Sequence, residues 1–159
     1  MSAVTTAGRT DRGLPAPMLV GGAFVLSTVA NVAFQTGDIL FTDNDPHRQD
    51  GPISSIVSIS VVGGLALAVA LAVALPLMRS PAGAKVGAIV LGALALVAVP
   101  FFWSGAPAVF GATAAWLAGL ARGGQPQSGA ARAFGVIGIV VAILGVVAVF
   151  AGNLAAILS

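Results

Sequence analysis

An all-α, polytopic membrane bundle of five helices is the fold class this sequence predicts, and three observations carry it. Of its 159 residues, 58% are hydrophobic and only 8% are charged, with a mean hydropathy of +1.04; an ordinary soluble domain carries roughly 25% charged residues. The apolar residues come in runs near the length of about 20 residues that crosses ~30 Å of hydrocarbon. The basic residues lie between those runs, and nearly all of them fall on one side once five crossings are drawn. A soluble domain, a disordered chain and a nucleic-acid-binding face are all excluded. The pI of 10.6 reflects only seven Lys+Arg against five acidic residues, all of them Asp.

The elements follow in order. Residues 1–16 are polar and bear Gly, Pro and Thr, so they read as a loose tail. The first span covers about 17–36, and an outer loop covers 37–52. The second span covers about 53–78. The stretch from Lys85 to Ala121 is too long for one crossing and contains Pro100 and Pro107 around Phe101-Phe102-Trp103-Ser104-Gly105-Ala106. Proline removes a backbone donor, and Trp favours the membrane interface, so a tight turn is expected there. That gives helices at about 85–103 and 106–121, and a last span at about 133–157. The domain reading is therefore one transmembrane bundle over 17–159 behind the tail.

Charge placement fixes the expected orientation. With the N-terminus cytoplasmic and the C-terminus extracytoplasmic, Arg9, Arg12, Arg79, Lys85, Arg122 and Arg132 are inside, and only Arg48 is outside. Reading 85–121 as one span would move Arg122 and Arg132 outside. A basic start followed by an apolar run and Thr28-Val29-Ala30 also fits a cleaved signal peptide. Apolar character continues through Val32, Ala33 and Phe34, however, which favours a retained span.

Helices in lipid associate by close contact between small residues. Residues four apart share a helix face, and Gly111, Ala115 and Gly119 form such a stripe, as do Ala84, Ala88 and Gly92, and Ala66, Ala70 and Ala74. Gly138 and Ala142 begin another. The Leu77-Met78-Arg79 and Leu120-Ala121-Arg122 segments, each followed by a basic loop and Gly-bearing helix, form a faint two-hairpin echo.

No Asp, Lys, Arg or His falls well inside a span, although pumps and coupled carriers usually need such groups there. The most unusual pattern is polar: Ser27, Asn31 and Gln35 are spaced by four, with Thr28 beside them and Asp38 at the outer end. Ser54, Ser55 and Ser58 open the second span. Ser27, Asn31, Gln35, Asp38, Ser54 and Ser58 are thus expected to form a polar seam in the outer half of the bundle. Such a seam serves either as interhelical glue or as a vestibule for a solute.

The outer loop holds Asp43, Asn44, Asp45, His47 and Asp50, but the calcium-loop pattern fails at Pro46 and no Glu exists. His47 has no legible nucleophile or orienting partner. Cys is absent, and no lipidation motif is present. No catalytic, cofactor-binding or metal-ligating residues are expected.

The expected function is that of a non-catalytic accessory or scaffold subunit, with the bilayer and another membrane protein or a second copy as partners. A passive channel or small-solute transporter using the polar seam is the alternative. The bias to Ala, Gly and Val, with six Arg to one Lys, suggests a GC-rich bacterium and hence its cytoplasmic membrane.

Overall fold

The computed structural model describes residues 14–41, 52–122, 124 and 126–158. Most of the tail expected over 1–16 and most of the outer loop expected over 37–52 lie outside these residues. Among the described residues the chain is all-helical, with no strand. Helix α1 (Ala16–Phe24) passes through one π-helical turn (Val25–Val29) into α2 (Ala30–Phe41). Then come α3 (Pro52–Leu77), α4 (Pro81–Val97), a 3₁₀ segment (Val99–Ser104), α5 (Ala106–Leu117) and α6 (Ala130–Leu158).

Three stretches are long and apolar enough to cross a membrane: Ala16–Phe41, Ile53–Leu77 and Ala130–Ala156. Two of the five expected spans are shorter. Helix α4 has 17 residues and α5 has 12, or roughly 25 and 18 Å at 1.5 Å per residue.

Local chemistry explains the boundaries. The first helix overruns its expected end at 36 because Ile39, Leu40 and Phe41 continue its apolar character. Helix α4 starts earlier than expected because Ser80 is its N-cap, accepting from the Gly83 N–H at 3.0 Å, with Pro81 in the first turn; a cap hydroxyl and a proline at that position both favour initiation. The expected turn around Pro100 is the 3₁₀ segment, closed by Gly105 at φ +80°.

Helix α5 ends four residues short of the expected 121. The Gly119 N–H donates to Trp116 O at 3.0 Å and the Leu120 N–H to Ala115 O at 3.0 Å, with Gly119 at φ +76°. These two bonds around a left-handed glycine form a Schellman cap. Gly119 therefore terminates the helix and lies outside α5, whereas Gly111 and Ala115 of the expected Gly111/Ala115/Gly119 stripe are within it.

Two hydrogen bonds define one end of the bundle. The Arg122 N–H donates to Leu14 O at 3.0 Å, and Gln127 Nε2 donates to Pro81 O at 3.2 Å. The start of α1, the α3–α4 turn, the end of α5 and the start of α6 thus meet there. Arg79, Lys85, Arg122 and Arg132 all lie on these segments. At the other end, α2 meets α6 through an edge-to-face contact of Phe34 and Phe150, centroids 5.6 Å apart. Successive segments therefore run antiparallel.

Small side chains fill the inside. Ala70, Ala74, Ala88, Ala95, Ala108, Ala114, Ala115 and Ala131 are fully buried, whereas Val61, Leu65, Ile143, Leu144 and Val147 are exposed. This reverses the usual soluble pattern and leaves a broad apolar exterior that needs cover. Helix α5 is the hub: all its residues except Phe110 are buried. It crosses α6 with backbones touching, since a Cβ on Gly138 would stand 2.5 Å from Gly111 O and one on Gly111 would strike Gly138 O. Ala84, Ala88 and Gly92 are all buried on α4, and a Cβ on Gly92 would stand 2.8 Å from Phe134 Cβ of α6. Ala66, Ala70 and Ala74 form the buried stripe of α3.

A polar clamp between the first helix and the 3₁₀ turn

The end of a 3₁₀ segment leaves carbonyl groups without intrahelical partners, and in an apolar interior each one needs a donor. Here the donors come from the first helix. Thr28 Oγ1 donates to Ser104 O at 2.8 Å, and Asn31 Nδ2 donates to Trp103 O at 2.6 Å. Ser27 gives its single proton to Ala23 O, one turn back at 2.6 Å, which leaves Gly105 O as a long contact at 3.5 Å. All three side chains are buried.

The π turn aims them. Its defining bond runs from the Ala30 N–H to Val25 O, five residues back. The wider turn shifts the helical register, so the neighbours Ser27 and Thr28 are both buried against the turn. Gly63 of α3 and Gly105 make room for them. A Cβ at Gly63 would stand 2.6 Å from Ser104 O and 2.7 Å from Thr28 Oγ1, and one at Gly105 would reach Ser27 Cβ at 3.0 Å.

A second layer ties in the last helix. Asn153 Nδ2 donates to Asn31 Oδ1 at 2.9 Å and to Val149 O at 2.7 Å. Its amide thus links α6, through Asn31, to Trp103 O. Ser104 Oγ donates to Phe101 O at 2.7 Å and accepts from the Ala106 N–H at 3.2 Å, stitching the turn to the start of α5. Among the described residues, no buried side-chain nitrogen or oxygen lacks a hydrogen-bond partner.

Part of the expected seam comes together, and part does not. Ser27 and Asn31 form the clamp with Thr28. Gln35 and Asp38 are half-buried further along α2; Asp38 joins Phe34, Gly37, Phe41 and Phe150 in lining a pocket of about 590 Å³. Ser54 and Ser58 are exposed on α3, whereas Asn31 bonds Trp103 O and Asn153. The reason is helical phase. The inward face of α3 runs through Ile59, Gly63, Ala66, Ala70 and Ala74, so Ser55, one turn before Ile59, is the half-buried serine of the three.

Asn153 has no polar neighbour at helical spacing to mark it in the sequence; its one signal is that it is the lone amide in the long apolar run 133–157. The main-chain carbonyls of Trp103 and Ser104 carry no side-chain signature at all. Amides and hydroxyls of this kind hold geometry; none of them titrates near neutral pH. Among the described residues, no group of three His, Cys, Asp or Glu side chains could hold a metal ion. His47, Asp43, Asp45 and Asp50 of the outer loop lie outside those residues.

Comparison with protein-family models, with curated proteins and with solved structures finds no match.

Proposed function

We propose that the chain is a non-catalytic integral membrane protein, a small accessory or scaffold subunit whose broad apolar faces receive another membrane protein or a second copy. The observation that carries this reading is the clamp. Its polar groups are turned inward onto main-chain carbonyls and onto one another. Chemistry of that kind stabilises a helix arrangement and leaves little to address a substrate. The passive-pathway reading has less support, because the deep polar atoms are joined across the bundle instead of lining a passage.

We further propose five crossings, with the N-terminus cytoplasmic and the C-terminus outside, in a bacterial cytoplasmic membrane. Antiparallel succession of the segments supports the count, and the gathering of Arg79, Lys85, Arg122 and Arg132 at one end supports the orientation. A short α5 is compatible with a crossing because other helices surround it, and Ala118 and Ala121 beyond it are buried too. Irregular backbone at membrane depth is tolerated where protein covers it.

Two experiments test these readings. Single cysteines replacing Ser2, Asn44, Ser128 or Ser159 in this cysteine-free chain should react with a membrane-impermeant thiol reagent on intact cells only at 44 and 159. Labelling at 128 and not at 159 would refute the topology. Purification in mild detergent should recover a stoichiometric membrane partner or a defined self-assembly without solute flux after reconstitution. Flux through the isolated protein would reverse the choice of function.

A further inference from the structure

An apolar groove outside the clamp ends beside a basic residue. Helices α2 and α6 meet through Asn31–Asn153 and Phe34–Phe150, but toward the basic end α1 and α6 part and leave a groove of about 290 Å³. Met18, Gly22 and Leu26 form one wall, Ala142 and Val146 the other, and Ala112 of α5 the floor. All of these residues are apolar. Leu14 stands at the mouth, and its carbonyl accepts the Arg122 N–H. Beside the groove the helix rises roughly 15 Å from its start at Ala16 to Leu26 in the π turn, at 1.5 Å per residue. That matches one leaflet's share of the hydrocarbon, about half of ~30 Å.

We propose that this groove holds one acyl chain of an anionic phospholipid from the leaflet at the basic end, with the lipid phosphate beside Arg122. The inference rests on the membrane reading above. Three features select this occupant. The groove is open to the apolar exterior, so hydrocarbon fills it in a bilayer. Its depth is that of a single leaflet, which suits a chain entering from the headgroup side and not a crossing helix. Its mouth carries the exposed Arg122, and an arginine at the surface favours anionic headgroups.

The glycines supply the test. A Cβ at Gly22 meets nothing within 4 Å, and neither does one at Gly21, so both accept bulk. Only Gly22 lines the groove. The chain has two tryptophans, and Trp103→Phe leaves Trp116, which packs in one cluster with Ala23 of the groove and with Ala112 on its floor. This single-Trp protein is reconstituted in phosphatidylcholine vesicles containing either acyl-brominated phosphatidylglycerol or acyl-brominated phosphatidylcholine, and Trp116 fluorescence is read.

Half-maximal quenching should need about fivefold less brominated phosphatidylglycerol than phosphatidylcholine, the ratio set by the roughly 1 kcal/mol that one basic residue contributes at an anionic surface. Arg122→Gln should erase the headgroup difference. Gly22→Leu should remove the high-affinity component, while Gly21→Leu keeps it. Equal quenching by both lipids, or an unchanged profile in Gly22→Leu, would overturn the proposal. So would a Gly22→Leu protein whose only change is a smaller oligomer by light scattering, since a second copy would then be the occupant. Absence of quenching by either lipid in every variant would also overturn the proposal, whereas failure of the protein to insert into vesicles of either composition would overturn the membrane reading itself.

Discussion

Gly111→Leu should prevent the bundle from closing, and this is the largest effect expected of any single substitution. Residue 111 lies where the backbones of α5 and α6 touch, and any Cβ there strikes the Gly138 carbonyl. A carbonyl held in an α-helix cannot turn aside as the end of a flexible side chain can. Overpacking usually costs 1–3 kcal/mol, and more where backbone must move. Here α5 is enclosed on all sides, so separating it from α6 also disturbs its packing on α4. A loss of at least ~3 kcal/mol is expected, seen as aggregation or absence of a monodisperse peak in mild detergent. Gly64→Leu on α3, where a Cβ meets nothing within 4 Å, should run as the parent protein does. Equal behaviour of the two variants would remove the proposed crossing.

Gly105→Ala should be the second most damaging change, for two separable reasons. The backbone sits at φ +80°, where an L side chain costs roughly 1–2 kcal/mol. The added methyl also meets Ser27 and Thr28, the residues that satisfy the turn. Together these should lower stability by roughly 2–4 kcal/mol, combining the conformational cost with that of overpacking. Thermal unfolding followed by circular dichroism in detergent reads the loss. Combining Gly105→Ala with Ser27→Ala should recover part of the steric share and none of the conformational share. A Gly105→Ala protein within ~0.5 kcal/mol of the parent, the ordinary range for an inconsequential surface change, would contradict the described turn.

Much of this architecture was legible in the residues. Long apolar runs mark the three long helices, and Pro100 and Pro107 mark the break between α4 and α5; the Ser80-Pro81 start of α4 lies four residues before the expected 85. Asn31 was expected inside the bundle because an amide facing lipid would lose its partners at a cost of several kcal/mol. It is buried as expected.

What escaped the sequence has physical causes. Helix α5 is surrounded by protein, so no polar face and no periodicity mark where it ends. Gly111 and Gly119 stand eight residues apart in one stripe, yet one admits a neighbouring backbone and the other caps the helix. Spacing alone does not separate these roles, because both require only a missing side chain. The phase of α3 is legible in its Ala66/Ala70/Ala74 stripe, which carried back through Gly63 and Ile59 reaches Ser55 and passes by Ser54 and Ser58; the serines alone do not show it, because they lie on several faces. The clamp's acceptors are main-chain carbonyls, which every residue has. Which of them lacks a helical partner depends on the 3₁₀ turn, and that depends on tertiary packing.

The most direct test of the clamp as a stabilising device is the double-mutant cycle between Asn31 and Asn153. The two amides share one hydrogen bond at 2.9 Å across the bundle, and each has a second partner on the main chain. Reversible unfolding in mixed detergent micelles would be measured for the parent, Asn31→Leu, Asn153→Leu and the double variant. The predicted result is that the double variant loses less than the sum of the singles, with a coupling of about 0.6–1.7 kcal/mol, the span measured for interhelical pairs in membranes. Losses that add to within ~0.3 kcal/mol, as independent sites do, would contradict the account.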